Sequence, residues 1–66
     1  MKKIYYQTVV NPTRGQHREF FNDDEKEKAI ARTQEWKKAK YDVRLYKIVV
    51  DCEENTIDFY EIVVRG

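Results

Sequence analysis

From Ile4 to Val10 the chain reads IYYQTVV, a run of β-branched and aromatic residues, and a second run, HREFF from His17 to Phe21, follows the polar stretch NPTRGQ. This pattern predicts a β-hairpin, with Pro12 suited to the first corner of a turn and Gly15 to a positive-φ position. A four-residue loop from Pro12 to Gly15 sets Val10 across from His17 and Tyr6 across from Phe21. Side chains alternate along a strand, so Ile4, Tyr6, Thr8, Val10 and Phe21 share one face, and Tyr5, Gln7, Val9, Arg18 and Phe20 take the other.

The period then changes. NDDEKEKAIARTQEWKKAK opens with Asn22 as N-cap and Glu25 three residues on, an Asn version of the capping box, with Asp23 and Asp24 in the first turn. Lys37, Lys38 and Lys40 fill the last turn. Acid at the start and base at the end both suit the helix dipole, at about 0.3–1 kcal/mol per favourable charge, so these charge runs have a structural explanation. Ala29, Ile30, Thr33 and Trp36 form a narrow apolar stripe, with the stems of Lys37 and Lys40 beside it.

VRLYKIVVDCEENTIDFYEIVV, Val43 to Val64, predicts a second hairpin. A three-residue loop, Glu53-Glu54-Asn55 with Asn55 left-handed, pairs Cys52 with Thr56, Ile48 with Tyr60, Lys47 with Glu61 and Tyr46 with Ile62. Opposite charges then meet directly. A one-residue slip would turn every side chain of one strand to the other face, so the charge match is used to choose the register. It gives one face of Tyr46, Ile48, Val50, Tyr60, Ile62 and Val64 as the floor for the helix. The opposite face holds Val43, Leu45, Val49, Ile57, Phe59 and Val63 around the Lys47–Glu61 pair. The expected fold is a single α+β domain over residues 1–66, ββαββ, with two hairpins in one antiparallel four-stranded sheet. One helix covers one face of that sheet.

The other face is therefore a candidate interface, because monomers rarely expose contiguous apolar patches beyond a few hundred Å². Phe20, Phe59 and Val49 are its expected anchors, Tyr5 and Leu45 flank them, and Arg18, Lys47 and Glu61 fix orientation. Stoichiometric binding of a protein is the expected function, and the same face suits a homodimer seam. The alternative is single-stranded nucleic acid stacked on Tyr5, Phe20 and Phe59 beside Arg18 and Lys47. Against it stand the absence of an RNP1 pattern, a near-neutral charge, and Glu19 and Glu61 among the candidate residues.

Composition narrows the chemistry. The 66 residues include no serine, one histidine and one cysteine, with 13 basic and 12 acidic side chains for a net charge of +1. A lone Cys52 makes no internal disulfide and suits a reducing cytoplasm, and with His17 it cannot complete a four-ligand zinc site. No metal, cofactor or catalytic residue is expected, and TRGQ is no phosphate loop. MKKI lacks the apolar run of a signal peptide, and no stretch approaches the ~20 apolar residues of a membrane helix. So small a core rarely supplies more than roughly 3–5 kcal/mol, which makes a partner or a second copy a plausible external support.

In its size, its MKKIYY start, and the REFFNDDEKEKAI stretch that leads an aromatic strand into a capped helix, the chain resembles small proteins that tailed phages make for use inside the host. That resemblance, to host-takeover and counter-defence proteins as a class, implies an inhibitor or adaptor that binds a host protein in the host cytoplasm without catalysis.

Overall fold

The first hairpin forms in the expected register. In a computed structural model that describes residues 2–11 and 15–65, β1 (Lys2–Val10) and β2 (His17–Asn22) pair antiparallel, with Val10 opposite His17 and Tyr6 opposite Phe21. Gly15 takes φ +63°, the left-handed conformation expected of it. Pro12 lies outside the described residues.

Asn22 ends β2 and starts the helical segment. Its backbone N–H donates to Glu25 Oε1 at 2.9 Å, the reciprocal half of a capping box. The first turn, Asp23–Glu25, is 3₁₀, and the α-helix proper, α1, runs from Lys26 to Lys38. At its other end the Tyr41 N–H bonds to the Trp36 carbonyl (3.2 Å) and the Lys40 N–H to the Lys37 carbonyl (3.0 Å), the two bonds of a Schellman motif. That motif needs a left-handed residue just past the cap. Lys40 supplies it at φ 70°, at a cost of roughly 1–2 kcal/mol that glycine would avoid. The rings of Trp36 and Tyr41 meet edge-on at 5.1 Å, the apolar contact that accompanies such an end.

β3 (Val43–Asp51) and β4 (Thr56–Ile62) complete a four-stranded antiparallel sheet in the order β2-β1-β3-β4, so the fold is α+β with ββαββ connectivity. The register of this second hairpin departs from the expected one by one residue. Asp51, not Cys52, faces Thr56; Lys47 faces Tyr60, Tyr46 faces Glu61 and Ile48 faces Phe59. The loop therefore has four residues. Asp51 Oδ1 sets this length by accepting the backbone N–H of Glu53 (3.0 Å) and Glu54 (3.2 Å), while Asn55 holds the expected left-handed φ of 58°. The slip also follows from magnitudes. A Lys–Glu cross-strand pair contributes about 0.2–1 kcal/mol, whereas burying Leu45, which is 1% exposed, contributes about 1.5–3 kcal/mol.

As a consequence β3 shows the opposite faces from those expected. Val43, Leu45, Lys47 and Val49 share the helix side with Tyr6, Thr8 and Val10 of β1, and Arg44, Tyr46, Ile48 and Val50 lie on the open side. Tyr6, Ala29, Leu45 and Val64 form the core, with Ile4, Phe21, Ile30 and Ile62 packed around it. The small side chains of Ala29 and Thr33, 0% and 1% exposed, let α1 lie close on the sheet. The Thr33 hydroxyl donates to the Ala29 carbonyl (2.8 Å), so in the Thr8–Thr33 contact at 3.0 Å the donor is Thr8. Every buried side-chain polar atom among the described residues has a partner.

A helix is about 10–12 Å across and strands are about 4.8 Å apart, so one helix spans two to three of four strands. α1 packs on β1, β2 and β3. The chain beyond β4 returns beneath the helix: Val64 is buried, its carbonyl accepts from Lys37 Nζ, and the Arg65 carbonyl accepts from Gln34 Nε2 at 3.0 Å. The residues Thr56 to Tyr60 stay outside the helix's footprint and are exposed.

Candidate recognition face

Among the described residues, no element lies over the side of the sheet away from α1. Its cross-strand rows follow from the register. Phe20, Gln7, Tyr46 and Glu61 form one row across all four strands; Asn22, Tyr5, Ile48 and Phe59 form the next. Beyond them lie Arg18, Val9 and Arg44 at one end and Lys3, Val50 and Ile57 at the other. The middle of this face is closed by its own side chains, with Gln7, Val9 and Ile48 at 6%, 6% and 8% exposure. Its flanks are open: Phe20 is 67% exposed on β2, and Phe59 is 61% exposed on β4.

Between the flanks runs a groove of 360 Å³ lined by Gln7, Val9, Gln16, Arg18, Tyr46 and Phe59. Arg18 Nη2 donates to Gln16 Oε1 at 2.7 Å along its rim. Arg44 and Glu61 approach at 3.9 Å across β3 and β4, both about half exposed, a contact too solvated to hold much energy.

Of the residues expected on this face, Phe20, Phe59, Tyr5, Arg18 and Glu61 are there. Leu45, Val49 and Lys47 are not. Leu45 is core, Val49 is half-buried on the helix side, and Lys47 sits on that side between Tyr6 and Tyr60, because the four-residue loop reverses the parity of β3 relative to β4. Val63, also expected here, follows β4 outside the ladder and is 81% exposed. In their place stand Tyr46, Ile48 and Arg44, which the charge-matched register turned inward or left unassigned. The signal that could have found them is the Asp at the head of DCEEN, whose side chain can accept from the loop's own backbone.

Glu19, weighed earlier as an acid among the candidate residues, points to the helix side. Its carboxylate accepts from Arg32 Nε (2.9 Å), Trp36 Nε1 (3.3 Å) and His17 Nε2 (3.3 Å). The Arg32 hydrogen bond holds the Glu19 carboxyl below the usual carboxylate range against the opposing effect of burial, helped by His17 and Trp36. Arg32 also bonds Glu35 at 2.9 Å and lies 4.8 Å over the Trp36 ring, which in turn packs on His17 at 5.7 Å. This cluster fastens β2 to the helix and removes its acid from the open face.

Among the described residues no group of three or more His, Cys, Asp and Glu side chains gathers as metal ligands would, and Cys52 is exposed in the hairpin loop. No described helix is long and apolar enough to cross a membrane. No protein-family model, curated protein or solved structure matches this chain.

Proposed function

We propose that the chain is a non-enzymatic recognition module that binds a protein partner stoichiometrically through the open face of its sheet. The observation that carries this reading is the pair Phe20 and Phe59. Two large aromatic side chains stand mostly in water on a face that no element of the domain covers, on either side of a floor already closed by Val9 and Ile48. Desolvating such anchors typically contributes 2 kcal/mol or more to an interface, and a polar rim of Arg18 and Glu61 suits orientation. The narrower form, an inhibitor or adaptor of a host protein of the kind phages make, rests on the class resemblance alone.

A second reading, single-stranded nucleic acid, is favoured by the charge of the open face. Lys3, Arg18 and Arg44 there outnumber Glu61, and Glu19 is turned away. The two readings separate in one experiment. The chain and its Phe20→Lys variant are used as bait in a bacterial lysate, with and without nuclease, and the bound species are identified by mass spectrometry. The variant should fold normally, since exposed substitutions usually change stability by no more than about 0.5 kcal/mol. A single protein that resists nuclease and is lost with Phe20→Lys is the expected result. Loss of all binding after nuclease supports the second reading, and equal recovery by the variant overturns a role for this face.

A further inference from the structure

The exposed apolar side chains concentrate on one edge of the sheet. Ile57, Phe59, Tyr60 and Val63, between 55% and 81% exposed, lie in or just after β4, whose one strand neighbour among the described residues is β3. Ile57 and Phe59 project on the open side and Tyr60 on the helix side, beyond the reach of α1, so neither surface of the strand is covered from Thr56 to Tyr60. Natural sheets blunt such edges with charged side chains, above all lysine, with proline, with bulges or with a covering element, and of these β4 has only the acids Asp58 and Glu61. Thr56–Ile62 contains no lysine or proline and pairs with β3 without a bulge.

We infer that β4 pairs antiparallel with β4 of a second copy about a two-fold axis through Phe59. The strand's own sequence selects this occupant. A two-fold axis perpendicular to the sheet keeps every residue on its own face, so the axis must pass through a residue position. Centred on Asp58, it would set two carboxylates directly against each other. Centred on Tyr60, it would set Phe59 against the partner's Glu61 and Asp58 against the partner's Ile62. Centred on Phe59, it sets ring on ring and brings Asp58 opposite the partner's Tyr60, whose hydroxyl can donate to a carboxylate. This register also sets Ile57 opposite the partner's Glu61, and of the three it is the one that keeps the acids apart and gives Asp58 a donor directly across the seam.

Seven residues give an edge about 23 Å long, and pairing along it buries less than the roughly 1,200 Å² of a standard interface. The dimer therefore belongs with weak, concentration-dependent associations. Both open faces lie on the same side of the resulting eight-stranded sheet, so pairing joins the two recognition faces, with their Phe59 side chains meeting at the seam and their Phe20 side chains left open at the outer edges. The inference is independent of what that face binds.

Sedimentation equilibrium over about 1–100 µM should show a monomer–dimer equilibrium. Phe59→Glu and Phe59→Lys should each be folded monomers across that range, and an equimolar mixture of the two should dimerise again, because position 59 meets itself. Phe20→Lys, on the opposite edge, should dimerise like the wild type. As a check that does not depend on charge, Phe59→Cys combined with Cys52→Ser should form a disulfide-linked dimer on mild oxidation, since directly opposed residues have the Cα separation a disulfide needs. A wild-type monomer at all concentrations overturns the inference. So does a mixture that stays monomeric together with a cysteine variant that does not cross-link. Dimerisation lost with Phe20→Lys and kept by both Phe59 variants would place the seam on the open face instead.

Discussion

The two edge strands meet water on different terms. On the helix side of β2, Glu19 collects hydrogen bonds from Arg32, Trp36 and His17, and the Trp36 ring lies against His17 and Tyr41. Most of β4, by contrast, has Tyr60 on the helix side and Phe59 on the open side with nothing over either. One helix cannot cover four strands, and the polar and aromatic cluster at its C-terminal half commits it to the β2 side. An edge left open in this way is a by-product of coverage first; whether it also serves a purpose depends on what its side chains offer, and β4 offers apolar ones.

Three experiments would break or sharpen the contrast. Trp36→Ala strips the cover from β2 and should lower stability by about 2 kcal/mol, less than the 3–5 kcal/mol of a fully buried tryptophan because Trp36 is only half-buried. Urea denaturation checks this, and an unchanged midpoint would mean that β2 needs no cover. Glu19→Gln should lower stability by about 1 kcal/mol near neutral pH. Its pH dependence has a definite sign. The folded Glu19 pKa is lowered, chiefly by Arg32, so its contribution is complete above the unfolded value and is lost as the pH falls through the folded one. Glu25, lowered by its bond from the Asn22 N–H and by Lys28, adds a similar acid limb in both proteins. The difference between wild type and Glu19→Gln should therefore shrink on acidification, and melts from pH 7 down to about pH 3 would show it. The smallest effect belongs to β4: Tyr60→Ser should leave the stability of the monomer, read from its thermal melt, within about 0.5 kcal/mol of wild type. A large loss there would mean that Tyr60 packs on Lys47 and Tyr6 in earnest and that β4 is less exposed than its neighbours imply.

Local chemistry made much of this legible in advance. The first hairpin's register followed from the turn residues Pro12 to Gly15, its faces from alternation, and the helix from Asn22, Glu25 and the lysines at its end. The second hairpin shows where local reading fails. Val43 to Asp51 is apolar on both faces, so alternation gives no parity, and the choice fell to Lys47 and Glu61, a pair worth less than the burial of Leu45. Parity was in fact decided by β1, which pairs with β3 along its whole length, and by the bonds of Asp51 to the loop. Of the candidate site, the residues on β1, β2 and β4 were placed on the open face, and those on β3 were the ones exchanged. A single residue of loop length separates the two outcomes.

The position of β1 has a further consequence, for the order in which the fold is built. This central strand is bordered on one side by β2, its neighbour in the chain, and on the other by β3, which enters only after the helix, with Lys2 meeting Asp51 and Val10 meeting Val43. The two hairpins and the helix can each close over short loops. Joining them closes a segment of about half the chain, from Val10 to Val43, before the β1–β3 ladder returns any energy. Sheets assembled through such long-range pairing belong to the slower kinetic classes, and until that step the inner faces of both hairpins stand in water.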